Sequence, residues 1–413
     1  MSLPEYRPRQ VDHLLQELLR ELPAVMLVGP RASGKTTSAR QHAADIVQLD
    51  RPAEAAVFRA DPDAALRARP APLLLDEWQE VPQVLSAVKR AVDADPRPGQ
   101  FLLTGSVRAD LDVATWPGTG RVVRVSMHGM TVRELQGRAE GRPFLDRLAN
   151  NEPLVVPPET PDLREYIRLA LTSGFPEPAL RLTSRARVRW LDGYIEQILT
   201  RDAIALEAGR DPARLRRYFE SYALNTAGIV GDGTLFEASG INRKTATAYE
   251  QLLTNLFVVE QLPAWTSNRL KRLTLRPKRY VIEPALIAAA LRLDEAAVLR
   301  DGDILGRILD SFVVAQLRAE LPVCDSRPRL YHVRDRDGRH EIDLVAELGG
   351  GRLIAFEIKA DAAPDRLSAK HLAWLRDELG DRLLRGILLH TGPGMYPLDE
   401  RIMAVPICAI WGG

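Results

Sequence analysis

The residues best placed to do chemistry start at Gly29. GPRASGKT (29–36) reads G-x-x-x-x-G-K-[ST], with an apolar strand, AVMLVG, before it and a helix-like stretch, SGKTTSARQHAADI, after it. Gly29, Pro30, Arg31, Ala32, Ser33, Gly34, Lys35, Thr36 and Thr37 form the expected phosphate cradle. Its glycines let backbone N–H groups face phosphate oxygens, and the following helix adds the positive end of its dipole. Lys35 would reach β- and γ-phosphates, and Thr36 would ligate Mg2+, so ATP with Mg2+ is the expected cofactor pair. Only seven of the 56 basic residues are lysines, so a lysine inside a motif is rarely there by accident.

Further acids and hydroxyls follow at strand ends. LLLDE (73–77) would set Asp76 beside the Mg2+ shell and let Glu77 polarise an attacking water. FLLTGS (101–106) ends in Thr104 and Ser106, which could sense the γ-phosphate or orient that water; an ordinary strand end is the other reading. Arg121 and Arg124 follow WPGTG. Arg121 is the first choice for a finger offered to a neighbouring subunit, which implies a homo-oligomer. In an arginine-rich chain, a surface salt bridge is the competing reading.

A second constellation lies in HEIDLVAELGGGRLIAFEIKA (340–360). Residues i and i+2 of a strand share a face, so Glu357 and Lys359 can converge with Asp343. Two carboxylates would hold a second Mg2+ and the lysine would stabilise a developing oxyanion. Asp310, on a helix before the hairpin, would be a further acid. The alternative is a salt bridge in a structural hairpin.

A third region has a binding character. Residues 233–262 have the shape of a helix-turn-helix, with Gly240 as the turn, Asn242 as a helix cap and Lys244, Thr245 and Thr247 pointing outward. Six basic residues and no acid lie between Asn268 and Tyr280. This run suits the wing of a winged helix on phosphates. Five such contacts would give a log–log salt slope of about −4 to −5. DNA contact through residues 242–280 is thus one expectation, and a protein-binding module or solvated surface is the other.

The elements that must position these residues follow from periodicity. Apolar strands alternate with helices up to about residue 127, which argues for a mostly parallel α/β sheet. A Pro- and Gly-spotted stretch, ending in NNEPLVVPPETPD (150–162), reads as a linker. Helical spacing runs from Leu163 to about Asn255, and strands return at 329–333, 341–348, 352–360 and 385–390. The expected domains are 1–140, 160–295 and 300–413.

The chain resembles a prokaryotic family of AAA-type ATPases in which a P-loop domain precedes a C-terminal region of unknown function. The runs that carry the resemblance are YRPR, VGPRASGKTT, LDRPAEAAVFRADP, LLLDEWQEVP, FLLTGS and TVREL. The continuation Trp78-Gln79-Glu80-Val81-Pro82 is more particular to the family than the phosphate loop. SGFPEPAL, YIEQILTRDA, GRILDSFVVAQL and VPICAIW extend the resemblance. It implies ATP binding and hydrolysis. The acid-to-EIK hairpin further resembles the PD-(D/E)XK nuclease core, with Asp310 where a glutamate is usual. The expected fold is therefore an α/β AAA-type P-loop NTPase domain, a mainly helical winged-helix domain and an α/β restriction-endonuclease-like domain.

Composition sets the outer bounds. The chain has 413 residues with 56 Lys+Arg against 55 Asp+Glu, so it is neither a basic coat protein nor an acidic tail. Two cysteines cannot make a disulfide framework. No apolar run approaches the roughly 18 residues of a membrane span, and the start lacks a signal pattern. A cytoplasmic location without membrane contact is the expectation.

Overall fold

A computed structural model describes residues 6–67, 69–107, 119–202, 211–268, 272, 275–335 and 339–413. The chain divides into two compact units. The first holds residues 1–130, 134–139 and 255–257; the second holds 131–133, 140–254 and 258–413.

In the first unit, helix α1 (Gln10–Glu21) buries Val11, Leu15 and Leu19 along one stripe and stops at Leu22, before Pro23. Strand β1 (Ala24–Val28) is buried at all five positions, as a central parallel strand covered on both faces must be. Helix α2 (Lys35–Arg40) is shorter than its sequence suggested, because the chain has to enter β2 (Asp45–Gln48) beside β3 (Leu73–Asp76). Between them, Pro52 and Pro62 open α3 (Pro52–Ala60) and α4 (Pro62–Leu66), positions where proline's missing N–H costs nothing. Asp61 caps α4 by accepting from Ala64 N at 2.9 Å, worth about 1 kcal/mol. Helix α5 (Val84–Ala94) leads to β4 (Phe101–Gly105), and β5 (Val123–Ser126) completes the sheet.

The strand order is β2-β3-β4-β1-β5, every pairing parallel. One strand, β4, lies between the strand that ends at the phosphate loop and the strand that ends in Asp76. The C-terminal ends of all three open on the same edge, where ligands bind in sheets of this kind.

The second unit begins its helical part with α6 (Leu163–Thr172), α7 (Pro176–Leu180) and α8 (Ser184–Gln197). Helices α9 (Pro212–Leu224), α10 (Asp232–Ala238) and α11 (Arg243–Asn255) follow, then an antiparallel pair, β6 (Val259–Leu262) with β7 (Lys278–Val281). Gly240 turns with φ +65°, and Asn242 accepts from Thr245 N at 2.9 Å. Helices α12 (Pro284–Leu291), α13 (Glu295–Arg300) and the long α14 (Gly302–Glu320) lead into a mixed sheet.

That sheet has the order β12-β13-β11-β10-β9-β8. Its members are β8 (Arg329–Arg334), β9 (Glu341–Glu347), β10 (Leu353–Lys359), β11 (Leu383–His390), β12 (Tyr396–Asp399) and β13 (Ile402–Pro406). Strands β8, β9 and β10 run antiparallel, and β10, β11 and β13 run parallel. Helix α15 (Lys370–Leu379) makes the crossover that a parallel β10–β11 pair requires. Trp265 N donates to His332 O at 2.7 Å and His332 N to Pro263 O at 3.1 Å, so the β6–β7 region is stitched to β8. No helix of the described residues is long and apolar enough to cross a membrane.

Candidate functional site

The phosphate loop is built by two glycines for different reasons. A Cβ at Gly29 would lie 1.9 Å from Met127 O, so only glycine lets β1 leave the sheet there. Gly34 caps α2 with φ +94°, a left-handed conformation that side chains resist. Lys35 is buried, and its Nζ donates to Pro30 O at 2.8 Å, folding back across the loop. Burial draws its pKa down to about 8, against the pull of Glu77 and Asp76. A polyphosphate beside it would restore the charge.

Opposite the lysine, Thr36 Oγ1 donates to Asp76 Oδ1 at 2.7 Å, and Thr104 Oγ1 donates to the same oxygen. Burial pushes the Asp76 carboxyl up, and the two hydroxyls oppose that. Glu77 sits at φ +55°, where its N donates to Thr104 Oγ1 at 3.3 Å. Its Oε2 accepts from Gln79 Nε2 and, at 3.2 Å, from Ser106 Oγ. The sheet thus brings Lys35, Thr36, Asp76, Glu77, Thr104 and Ser106 to one edge. Arg121 is not drawn into this network: its Nε pairs with Asp93 Oδ1 at 2.8 Å on the exposed face of α5.

Three contributors were invisible to motif reading. Gln79 holds Glu77, as above. Arg9 is buried, with its Nη1 on Ser33 O at 2.8 Å, its Nη2 on His128 O at 2.9 Å and its Nε on Glu134 Oε1 at 3.0 Å. Glu134 also accepts from Gln10 N at 2.8 Å. Arg9 and Glu134 belong to the YRPR and TVREL runs, and the pair braces the phosphate loop at Ser33 O. The conjunction of arginine and acid in two otherwise unexplained motifs was the available signal.

The second constellation is different in kind. Asp310 on α14 and Asp343 on β9 come together around Lys278 of β7, while Glu357 on β10 pairs with Lys359. Lys278 Nζ lies 2.6 Å from Asp310 Oδ2 and 3.3 Å from Asp343 Oδ1. Tyr280 OH donates to Asp310 Oδ1 at 2.9 Å, and Ile358 N to Asp343 Oδ2 at 3.0 Å. Burial disfavours the Lys278 charge, yet Asp310, Tyr280 and Asp343 hold its pKa well above the lysine range. Lys359 Nζ pairs with Glu357 Oε2 at 3.0 Å. Burial and the Asp343 charge push Glu357 up to about 8. Among the described residues no group of three or more His, Cys, Asp or Glu is arranged to hold a metal ion. The two carboxylates expected to hold a second Mg2+, and Asp310 with them, are thus engaged in ion pairs, Asp310 and Asp343 with Lys278 and Glu357 with Lys359.

In the basic run after Asn268, several cations are paired within the chain. Arg272 makes a bidentate pair with Glu347 at 2.7 and 2.8 Å and lies over the rings of Trp265 and Tyr331. Arg279 is buried against Glu250 at 3.0 Å and Asp232. With Lys278, three of the six cations face acids rather than solvent. Arg276 is exposed, and Arg269 and Lys271 lie outside the described residues. Lys244 and Thr247 are exposed on α11 and Thr245 is half-buried.

The parallel sheet, its glycine loop and the acid pair at the neighbouring strand end define a AAA-type P-loop ATPase domain. Residues 21–136 match the family described as AAA domain. Residues 163–297 match a domain of unknown function, DUF8612, and residues 305–410 match another, DUF4143. The chain is 30% identical over 397 residues to uncharacterized protein Rv2008c of Mycobacterium tuberculosis, covering 95% of this chain and 82% of that one. The same figures hold for uncharacterized protein Mb2031c of Mycobacterium bovis. This chain belongs to the family of these mycobacterial AAA-domain proteins. It is also 26% identical over 372 residues to a protein named tRNA dimethylallyltransferase of Xanthomonas campestris, covering 87% of this chain and 88% of that one. The Walker-type ATPase paby2304 of Pyrococcus abyssi aligns with 70% of this chain and 99% of its own at 13% identity. Its TM-score is 0.44.

Proposed function

We propose that this chain is a Mg2+-dependent ATP hydrolase whose nucleotide state controls its C-terminal region, acting on nucleic acid. The observation that supports it best is the Thr36–Asp76–Thr104 cluster beside Glu77, with Lys35 drawn across the loop. Thr36 and Asp76 offer hard oxygen donors, which suit Mg2+. When bound with ATP, that ion would draw charge from the β- and γ-phosphate oxygens.

The chain's own residues do the rest. Backbone N–H groups of 31–36 hold the phosphates, and Lys35 leaves Pro30 O for the γ-phosphate. Glu77 orients a water and accepts its proton as the water oxygen bonds the γ-phosphorus. The bond to the β-phosphate oxygen breaks, and ADP and phosphate leave. Thr104 and Ser106 touch Asp76 and Glu77, so they would report the change. Arg121 would serve as a finger to a second copy only after releasing Asp93. Nucleic-acid contact would rest on the exposed Lys244 and Thr247 of a helix-turn-helix, with the hairpin as a structural rather than a phosphate-binding wing.

The test is ATP turnover by the full chain with duplex DNA, single-stranded DNA and tRNA, beside Lys35→Ala. Turnover that vanishes in the variant and rises with one nucleic acid supports the proposal. Equal turnover in the variant overturns the ATPase assignment; indifference to all three nucleic acids overturns the nucleic-acid part.

A further inference from the structure

Six carboxylate oxygens meet in the C-terminal cluster, and five of them have donors. Asp310 takes Lys278 and Tyr280, and Asp343 takes Lys278 and the Ile358 amide. Glu357 Oε2 takes Lys359. The sixth, Glu357 Oε1, is buried without a hydrogen-bond partner, on a residue only 2% exposed. Lys278 also approaches the Asp343 main-chain oxygen at 3.3 Å. Its Nζ therefore has three oxygens around it, from a helix and a strand, in the manner of a bound cation. A divalent ion would seek these same oxygens, since it needs hard donors in number.

We propose that Lys278 is an internal cation standing where a divalent metal would sit between Asp310 and Asp343. The cluster is thereby closed to Mg2+ and Mn2+, and the C-terminal part of the second unit works without a metal. The lysine is kept in place by its neighbours. It lies on β7, paired in register Lys278 to Leu262 with β6. The hairpin is tied to β8 through Trp265 and His332. An arriving ion would have to displace a buried ammonium that two carboxylates hold. Glu357, held on one oxygen by Lys359, keeps its other oxygen unpartnered on the strand beside Asp343. Removing the ammonium should therefore free Asp310 and Asp343, with the open Glu357 oxygen on the next strand, and create a metal site.

The experiment is Mn2+ binding followed by electron paramagnetic resonance. It uses the full chain without nucleotide, in an Asp76→Asn background that removes the acid of the phosphate-loop site. With Lys278 present, the expected result is no Mn2+ site sensitive to Glu357→Gln. Lys278→Met should gain one site, binding at least tenfold tighter than any in its parent and lost again on adding Asp343→Asn. Mn2+ should raise the melting temperature of Lys278→Met alone. A Mn2+ site in the parent that Glu357→Gln abolishes would overturn the proposal, and that arm does not depend on Lys278→Met folding. A folded Lys278→Met that gains no site would overturn it as well.

Discussion

The two acid–lysine clusters use similar parts to opposite ends. At the phosphate loop, Asp76 is held by the hydroxyls of Thr36 and Thr104, while Lys35 is turned toward a backbone carbonyl. In the C-terminal cluster, Asp310 and Asp343 are held by the ammonium of Lys278. Hydroxyls satisfy a carboxylate without cancelling its charge, so Asp76 remains available to an incoming cation. An ammonium shared between two carboxylates offsets one of their charges and occupies an oxygen of each, so Asp310 and Asp343 are less open to a cation. What holds a buried acid decides whether it can serve a ligand.

The largest expected effect breaks the first half of this comparison. Lys35→Ala should lower ATP turnover by about 10²–10³-fold or more, since a preorganised cation at the transferred phosphate is lost. A steady-state assay checks it. The next tests the second half. Lys278→Met leaves two buried acids unpaired and should destabilise the second unit by about 3–5 kcal/mol in urea unfolding. A change under 1 kcal/mol would mean that the acids are not charged in the fold. Arg9→Ala removes a brace rather than a ligand. ATP should bind on the order of tenfold more weakly, about 1.4 kcal/mol, measured by calorimetry. Unchanged affinity would show that Ser33 O needs no support.

A smaller effect sharpens the rule with an acid held by backbone amides. Glu283 is buried and accepts from Gly174 N at 3.0 Å. Burial pushes it from 4.5 up to about 7, opposed by backbone hydrogen bonds from Gly174 and Ala285. Its folded value exceeds its unfolded one, so its contribution to stability is full below about 4.5. That contribution is lost as pH rises through about 7. Over that window the second unit should lose on the order of 2–3 kcal/mol through this group. Glu283→Gln should flatten the loss and be the more stable form at pH 8. Parallel pH profiles for the two proteins would contradict this.

The phosphate loop was legible in the sequence because its geometry is local: two glycines, a lysine and a threonine within eight residues, between a strand and a helix. The strand–helix alternation likewise gave the parallel sheet, and the Asn242 cap and Gly240 turn were readable from residue type. The strand order was not, since nothing in FLLTG says that β4 slots between β1 and β3. Nor was the bracing pair, because Arg9 and Glu134 lie far apart along the chain. Lys278 misled for the same reason. Its neighbours in sequence are cations, so it read as a solvent-facing wing. Its partners Asp310 and Asp343 are 32 and 65 residues away. Strands β12 and β13 close the last sheet where only VPICAIW had stood out.

The central claim is that the acid pair at the end of β3 turns a bound nucleotide over, with Asp76 and Glu77 in separate roles. Its most direct test is phosphate release from ATP by Glu77→Gln beside the unaltered chain, with and without Mg2+. The expected result is Mg2+-dependent release by the unaltered chain, with ATP bound equally well by the variant but hydrolysed at least about 10²-fold more slowly. Equal rates in the two proteins would contradict the account.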